Sequence, residues 1–259
     1  MARAPKPPRF YFSLRSPYSW FALLELREHH PELAARLQWR PFWEPDATSA
    51  RLLGEAGGEF PYTPMSRAKQ FYILRDVRRL SAARGLSVTW PVDKDPWWEP
   101  AHLAWFVAER HGKGIEWVER VSRARWQEGR DICSLATVRD LAESIGLDPE
   151  EAAGAVTDPE VRAQGVRALQ DIQRDGVFGV PYFVNGSEPY WGLDRLADFT
   201  ASFPAEVPAE VRAVPAAVPA EVPVEVPDSA AALAGAFEER ELALLGGRTT
   251  DMSHAGGCG

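Results

Sequence analysis

Residues 9–20 read RFYFSLRSPYSW, and the change of character within these twelve positions decides the fold. Arg9 to Ser13 is a short run of aromatic, β-prone residues, which predicts a strand. Pro17 fits a first helical position, because its missing N–H is one the helix would leave unpaired anyway, and Ser16 before it suits an N-cap. A helix is expected from Pro17 to about His29, with Trp20, Leu23 and Leu24 apolar and Glu25 to Arg27 polar. Leu37 to Phe42 (LQWRPF) then alternates as a second strand, which completes a β-α-β opening.

Outward from this opening, about Ser66 to Ala168 is helical in signal. KQFYILRDVRRLSAARGL, HLAWFVAERHG, EWVERVSRARWQEG and TVRDLAESIGL are each amphipathic and each stopped by Gly or a polar turn. Asp148-Pro149 followed by Glu150 and Glu151 starts a further helix with proline and acids in its first turn. Gly176 to Tyr190 (GVFGVPYFVNGSEPY) holds two aromatic strand-like runs around Asn185-Gly186, a hairpin signal. Asp194 to Phe203 is expected to be a last helix. The order is that of an α/β thioredoxin layout over 9–203, with an inserted all-α helical domain at about 66–168.

Pro204 changes the composition. PAEV-like units punctuated by Pro204, Pro208, Pro215, Pro219, Pro223 and Pro227 read as an extended linker over 204–227. Asp228-Ser229 would cap a short amphipathic helix over 228–247 that ends at Gly246-Gly247, and 248–259 reads as a flexible, disordered tail.

The 259 residues are 45% hydrophobic and 11% aromatic, enough for a full core, and carry a net charge of −8. That balance argues against a nucleic-acid partner. Met1 to Arg9 is basic and Pro-rich, and Phe10 to Tyr18 is interrupted by Arg15, so no secretory signal is read. No run approaches the roughly 20 apolar residues of a membrane span. The expected location is cytoplasmic and no membrane partner is expected. Cys133 and Cys258 have neither disulfide nor CxxC spacing, and His102, His111 and His29-His30 lack partners at a metal-ligand spacing, so no metal is expected.

Two short signals remain, Ser16-Pro17-Tyr18-Ser19 at a strand-to-helix turn and Gly179-Val180-Pro181-Tyr182-Phe183 before a strand. Alone, the first is a helix cap and the second is punctuation. Together with KQFYILRDVRRLSAARGL at 69–86 and RARWQEGRDI at 123–132, they resemble the thioredoxin-like group that includes the DsbA family, the 2-hydroxychromene-2-carboxylate isomerases and the kappa-class glutathione transferases. The resemblance covers about residues 9–203.

The resemblance implies roles position by position. Ser16 matches the serine that hydrogen-bonds the sulfur of bound glutathione, with Pro17 beside it. Pro181 matches the cis-proline facing that turn, and Val180 the residue whose backbone pairs with the cysteinyl part of the tripeptide. Asp194 matches the acid that binds the γ-glutamyl amino group, Arg195 follows it, and Lys69 matches a lysine facing the cleft. The implied activity is a thiol-dependent isomerase or transferase acting on a small-molecule electrophile, aromatic or conjugated, with glutathione or another low-molecular-weight thiol as cofactor. Mycothiol is included because 25 Arg against 4 Lys suggests a GC-rich genome. An oxidoreductase using an external thiol is the alternative. Dithiol exchange at the turn itself is excluded, because serines at 16 and 19 cannot form a mixed disulfide.

Departures from the group are as informative. Ser13 stands where relatives often have Asp, Leu193 where a polar residue is usual, and DPWWEPAHLAW (95–105) lacks the Asn and Arg of the isomerases. Trp97, Trp98, Trp105 and Tyr72 would suit an aromatic substrate, although aromatic residues at helical spacing are more often core. Ser19 reads as a bystander, Cys133 as an ordinary thiol, and Arg75, Arg78 and Arg79 as a solvated helix face. Cys258-Gly259 repeats the last two residues of glutathione, which raises a thiol supplied in cis. Gly246-Gly247 equally suits a leader, making the chain a carrier for its own tail with a modifying or processing enzyme as partner. A homodimer is compatible with all of these readings.

Overall fold

The computed structural model describes residues 6–61 and 64–203. The linker, helix and tail read over 204–259, with Cys258-Gly259, lie outside the described residues.

Strand β1 (Arg9–Phe12) leads into α1 (Pro17–His29), then α2 (Pro31–Arg36) and β2 (Gln38–Pro41). The helices α3 (Ala47–Glu55), α4 (Arg67–Ala83), α5 (Glu99–Arg110), α6 (Gly114–Trp126), α7 (Leu135–Ser144), α8 (Pro149–Gly154) and α9 (Pro159–Arg174) follow. The chain ends its described part with β3 (Tyr182–Asn185), β4 (Glu188–Trp191), a 3-10 turn at Leu193–Arg195 and α10 (Leu196–Ala201). The sheet order is β2-β1-β3-β4, with β1 and β2 parallel and the other pairs antiparallel. This is the thioredoxin fold expected from the sequence. No helix among the described residues is long and apolar enough to cross a membrane.

The strands alternate as a two-sided sheet must. Phe10 stacks on Phe183 at 4.7 Å and Phe183 on Phe199 at 4.9 Å, which builds one face against α10. On the other face Tyr11 donates to Asp175 Oδ2 at 2.7 Å, and Arg9 meets the same oxygen at 2.5 Å. One carboxylate at the end of α9 thus satisfies two polar groups of the central strand. Burial, and then Asp175, push the Tyr11 hydroxyl pKa well up.

Local chemistry sets the helix starts. Asp148 accepts from the N–H groups of Glu150 and Glu151, as the Asp-Pro-Glu-Glu pattern predicts. Asp158-Pro159 repeats the device, so the helix expected after Pro149 is two helices, α8 and α9. At Gly165 a side-chain carbon would sit 2.8 Å from Leu103 Cδ2. Only glycine lets α9 approach α5 this closely.

A buried polar network fixes α5 against its neighbours. Glu99, 0% exposed, accepts from Trp43 Nε1 and from the Asp46 N–H, both at 2.9 Å. Asp46 caps α3 and takes two bonds of 3.0 Å from Arg162 of α9. Burial raises the Glu99 carboxyl. Asp46 is also pushed up by burial, but Arg162 and the Ser49 N–H outweigh this and hold it below the usual range.

Candidate active site

The turn between β1 and α1 is closed by Ser16 N–H donating to Ser13 O at 3.0 Å. Ser16 caps α1, its Oγ accepting from Ser19 N–H at 3.2 Å, and Pro17 occupies the first helical turn. Because this oxygen is the acceptor in that bond, its own hydrogen remains available, and among the described residues no acceptor holds it. The helix N-terminus adds a partial positive charge at this point. Ser16 is fully buried.

Ser19 is not a bystander. Its Oγ accepts from the Ser13 N–H at 3.2 Å, so the two serines hold the turn reciprocally. The bond runs six residues back along the chain, whereas a helix cap acts forward, so the local sequence carries no signal for it.

Val180-Pro181 is a cis peptide bond. The antiparallel register pairs Phe10 with Phe183 and Tyr11 with Tyr182. Continued by one residue, it sets Pro181 opposite Phe12 at the end of β1 that leads into the Ser16 turn. Pro181 O accepts from Gly192 N–H at 2.9 Å. Gly192 has φ of 101°, and a side-chain carbon there would lie 2.5 Å from Asp194 Oδ1, so the carboxylate folds back over the glycine. Asp194 and Arg195 are exposed, their charges 3.8 Å apart, and Arg195 also donates to Asp198 at 3.1 Å. The 193–195 turn touches α1. Ser16, Pro17, Val180, Pro181, Asp194 and Arg195 therefore occupy connected elements.

Lys69 is more remote. It is exposed on α4, the helix whose Asp76 accepts from the Tyr18 hydroxyl at 2.8 Å. Seven residues separate Lys69 from Asp76, which is about 10 Å along the same stripe of the helix. The helix is anchored to the turn, but Lys69 has no ion pair among the described residues.

Of the four aromatic residues read as a substrate wall, Trp98 and Trp105 are core, Tyr72 is 59% exposed on α4, and Trp97 lies at the surface bound to Asp46. Trp98 borders the turn through Arg15, and Trp105 packs on Phe12 at the end of β1. The Arg15 guanidinium lies 5.3 Å from the Trp98 ring centre and that of Arg125 5.1 Å from it. Arg125 is bidentate to Asp93 at 2.9 and 2.7 Å, and Arg15 pairs with Glu44 at 3.3 Å.

His102 reaches the turn from α5. Here it is fully buried with both nitrogens engaged: Nδ1 is 2.7 Å from Trp98 O, and Nε2 accepts from the Leu14 N–H at 3.1 Å. Burial, with the cations of Arg15 and Arg125, pushes its pKa down to about 3. Cys133 is half-buried, and burial followed by Asp131 pushes its thiol up to about 12. A groove of about 620 Å³ runs elsewhere, between β2, α5 and α9 and lined by Arg40, Glu109 and Asp171, and it does not reach the Ser16 turn.

The model of the DSBA-like thioredoxin domain matches residues 9–203. A 2-hydroxychromene-2-carboxylate isomerase of Sphingobium xenophagum is 28% identical over 195 residues, 72% of this chain and 92% of that protein. A solved 2-hydroxychromene-2-carboxylate isomerase superposes with a TM-score of 0.60 at 21% identity, covering 75% of this chain and 93% of that one. A probable DsbA oxidoreductase of Streptomyces coelicolor gives a TM-score of 0.55 at 19% identity, covering 75% and 87%.

Proposed function

The chain belongs to the DSBA-like thioredoxin domain family, and from that premise we propose that it is a thiol-dependent isomerase or transferase in which Ser16 binds the sulfur of glutathione or a similar small thiol. The observation that carries this reading is the direction of one hydrogen bond. Ser16 Oγ accepts from Ser19 N–H and so keeps its own hydrogen for a sulfur, at the positive end of a 13-residue helix. Both features favour thiolate over thiol.

When bound, such a thiol supplies a nucleophilic sulfur able to add to and leave a conjugated carbon without net redox change. The chain's own residues would hold it. Ser16 donates to sulfur, the backbone of Val180 pairs with the cysteinyl unit, and Asp194 offers an exposed carboxylate to an ammonium group. Leu193 offers no such bond, so the γ-glutamyl end is held by fewer groups and another small thiol, mycothiol included, fits as well. The resemblance to proteins named as isomerases supports a small, conjugated electrophile as substrate.

Among the described residues dithiol chemistry has no bearer. Positions 16 and 19 lack sulfur, and at ordinary pH Cys133 holds its proton. Ser16 is 0% exposed, so a ligand must part the side chains over the turn. Association well below the diffusion limit is expected.

The test is a thermal-shift and calorimetric panel of glutathione and mycothiol on wild type and Ser16→Ala. Saturable binding of one thiol that disappears in the variant supports the reading. Binding of neither, or equal binding to both proteins, overturns it.

A further inference from the structure

The Leu14 N–H in the middle of the Ser13–Ser16 turn is held by a side chain from α5. In a turn closed between its first and fourth residues, the N–H of the second residue normally points to water. Here that residue is Leu14, 1% exposed, and an unpaired N–H at such a depth would cost about 1–3 kcal/mol. His102 Nε2 is the acceptor, at 3.1 Å, reaching across from α5. Ser13 Oγ lies 3.4 Å from the same nitrogen.

The ring has no freedom to serve otherwise. Its Nδ1 lies 2.7 Å from Trp98 O, one turn back on its own helix, and can only donate to that carbonyl. Nε2 is then unprotonated and able to accept. Trp43 stacks on the ring at 5.6 Å and 18°, and Trp43 is itself tied to Glu99. Arg15 and Arg125 bring two positive charges towards the imidazole, and the Glu99 carboxyl lies on the preceding turn of α5. A protonated ring would present N–H against the N–H of Leu14, so this turn geometry requires a neutral imidazole.

We propose that His102 is a positioning residue of the thiol site: by accepting the Leu14 N–H it sets the height of the Ser13–Ser16 backbone, and with it where the Ser16 hydroxyl meets a sulfur. The inference rests on the reading of Ser16 given above. His102 acts through the backbone of the turn and neither touches substrate nor exchanges a proton. An ordinary core histidine would fill space, and a leucine would replace it. A positioning histidine must be replaced by another acceptor.

The experiment compares wild type, His102→Leu and His102→Gln by amide hydrogen exchange at Leu14 and by calorimetry with glutathione and mycothiol. Gln can present its carbonyl oxygen to Leu14, and Leu cannot. In His102→Leu, Leu14 exchange is expected to accelerate at least about tenfold and thiol affinity to fall by a similar factor, while His102→Gln keeps both within about threefold. Unchanged exchange at Leu14 in a folded His102→Leu protein overturns the proposal. If the leucine variant does not fold, long-range ¹H–¹⁵N spectra of the wild type decide. A His102 that is neutral, carries its proton on Nδ1 and does not titrate between pH 5 and 8 supports the proposal, and a charged or Nε2–H ring overturns it. Failure of the thiol reading looks different: wild type binds neither thiol, while Leu14 exchange still follows residue 102.

Discussion

Ser19, inside the first turn of α1, accepts the backbone N–H of Ser13 at 3.2 Å, while Ser16 accepts that of Ser19 at the same distance. The paired serines therefore do structural work whatever ligand the turn receives. Ser19→Ala leaves the buried Ser13 N–H without a partner and is expected to lower stability by about 1–3 kcal/mol in urea titrations. Ser19→Thr, which keeps a hydroxyl, should recover part of the loss.

Acid stability should carry the signature of His102. Its folded pKa of about 3 lies below the ordinary 6.5, so between these values the unfolded chain binds a proton that the folded chain refuses. This contribution is fully present above pH 6.5 and is lost as pH falls, at up to about 1.4 kcal/mol per pH unit. Denaturation at pH 7, 5.5 and 4.5 should give a steeper loss for wild type than for His102→Gln. Parallel curves would contradict the assigned ring state.

Arg162 is the cation shared by the half-buried Asp46, at 3.0 Å, and the buried Glu99, at 4.0 Å. Arg162→Ala removes two charge-assisted hydrogen bonds from Asp46 and the cation nearest Glu99, and should cost about 1.5–3 kcal/mol in chemical denaturation. Loss of well under 1 kcal/mol would mean that water satisfies the pair.

Cys133, with its thiol pushed up to about 12, should resist iodoacetamide at pH 8 in the folded protein and react in urea. Peptide mass spectrometry of the 131–139 region reads this directly.

What the sequence disclosed follows the range of each interaction. Ser16-Pro17, Asp148-Pro149 and Asn185-Gly186 act within a few residues, so the start of α1, the start of α8 and the β3–β4 hairpin could be read locally. The candidate residues 16, 180, 181 and 194 came from a resemblance, and the register of β1 on β3 supplies their physical connection. His102 and Leu14 are 88 positions apart, and a histidine on an apolar helix looks the same with or without such a partner. Trp98 and Trp105 likewise share a period with surface aromatics, and only burial separates them from Tyr72. The break between α8 and α9 was legible in Asp158-Pro159 but was masked by continuous helical periodicity around it.

The sheet order has a temporal consequence. β1 is made before the other strands among the described residues and is an inner strand of the sheet, yet Phe10 stacks on Phe183, which is made 173 residues later. At about 5–20 residues per second, that interval is on the order of 10–35 s. Throughout it, among the described strands, the nascent chain has β2 alone to pair with the strand that carries Phe10 and Phe12. The helices from α3 to α9 are synthesised in the meantime, so a growing chain of this protein must keep its most aromatic strand from pairing with a neighbour's until its own partner arrives.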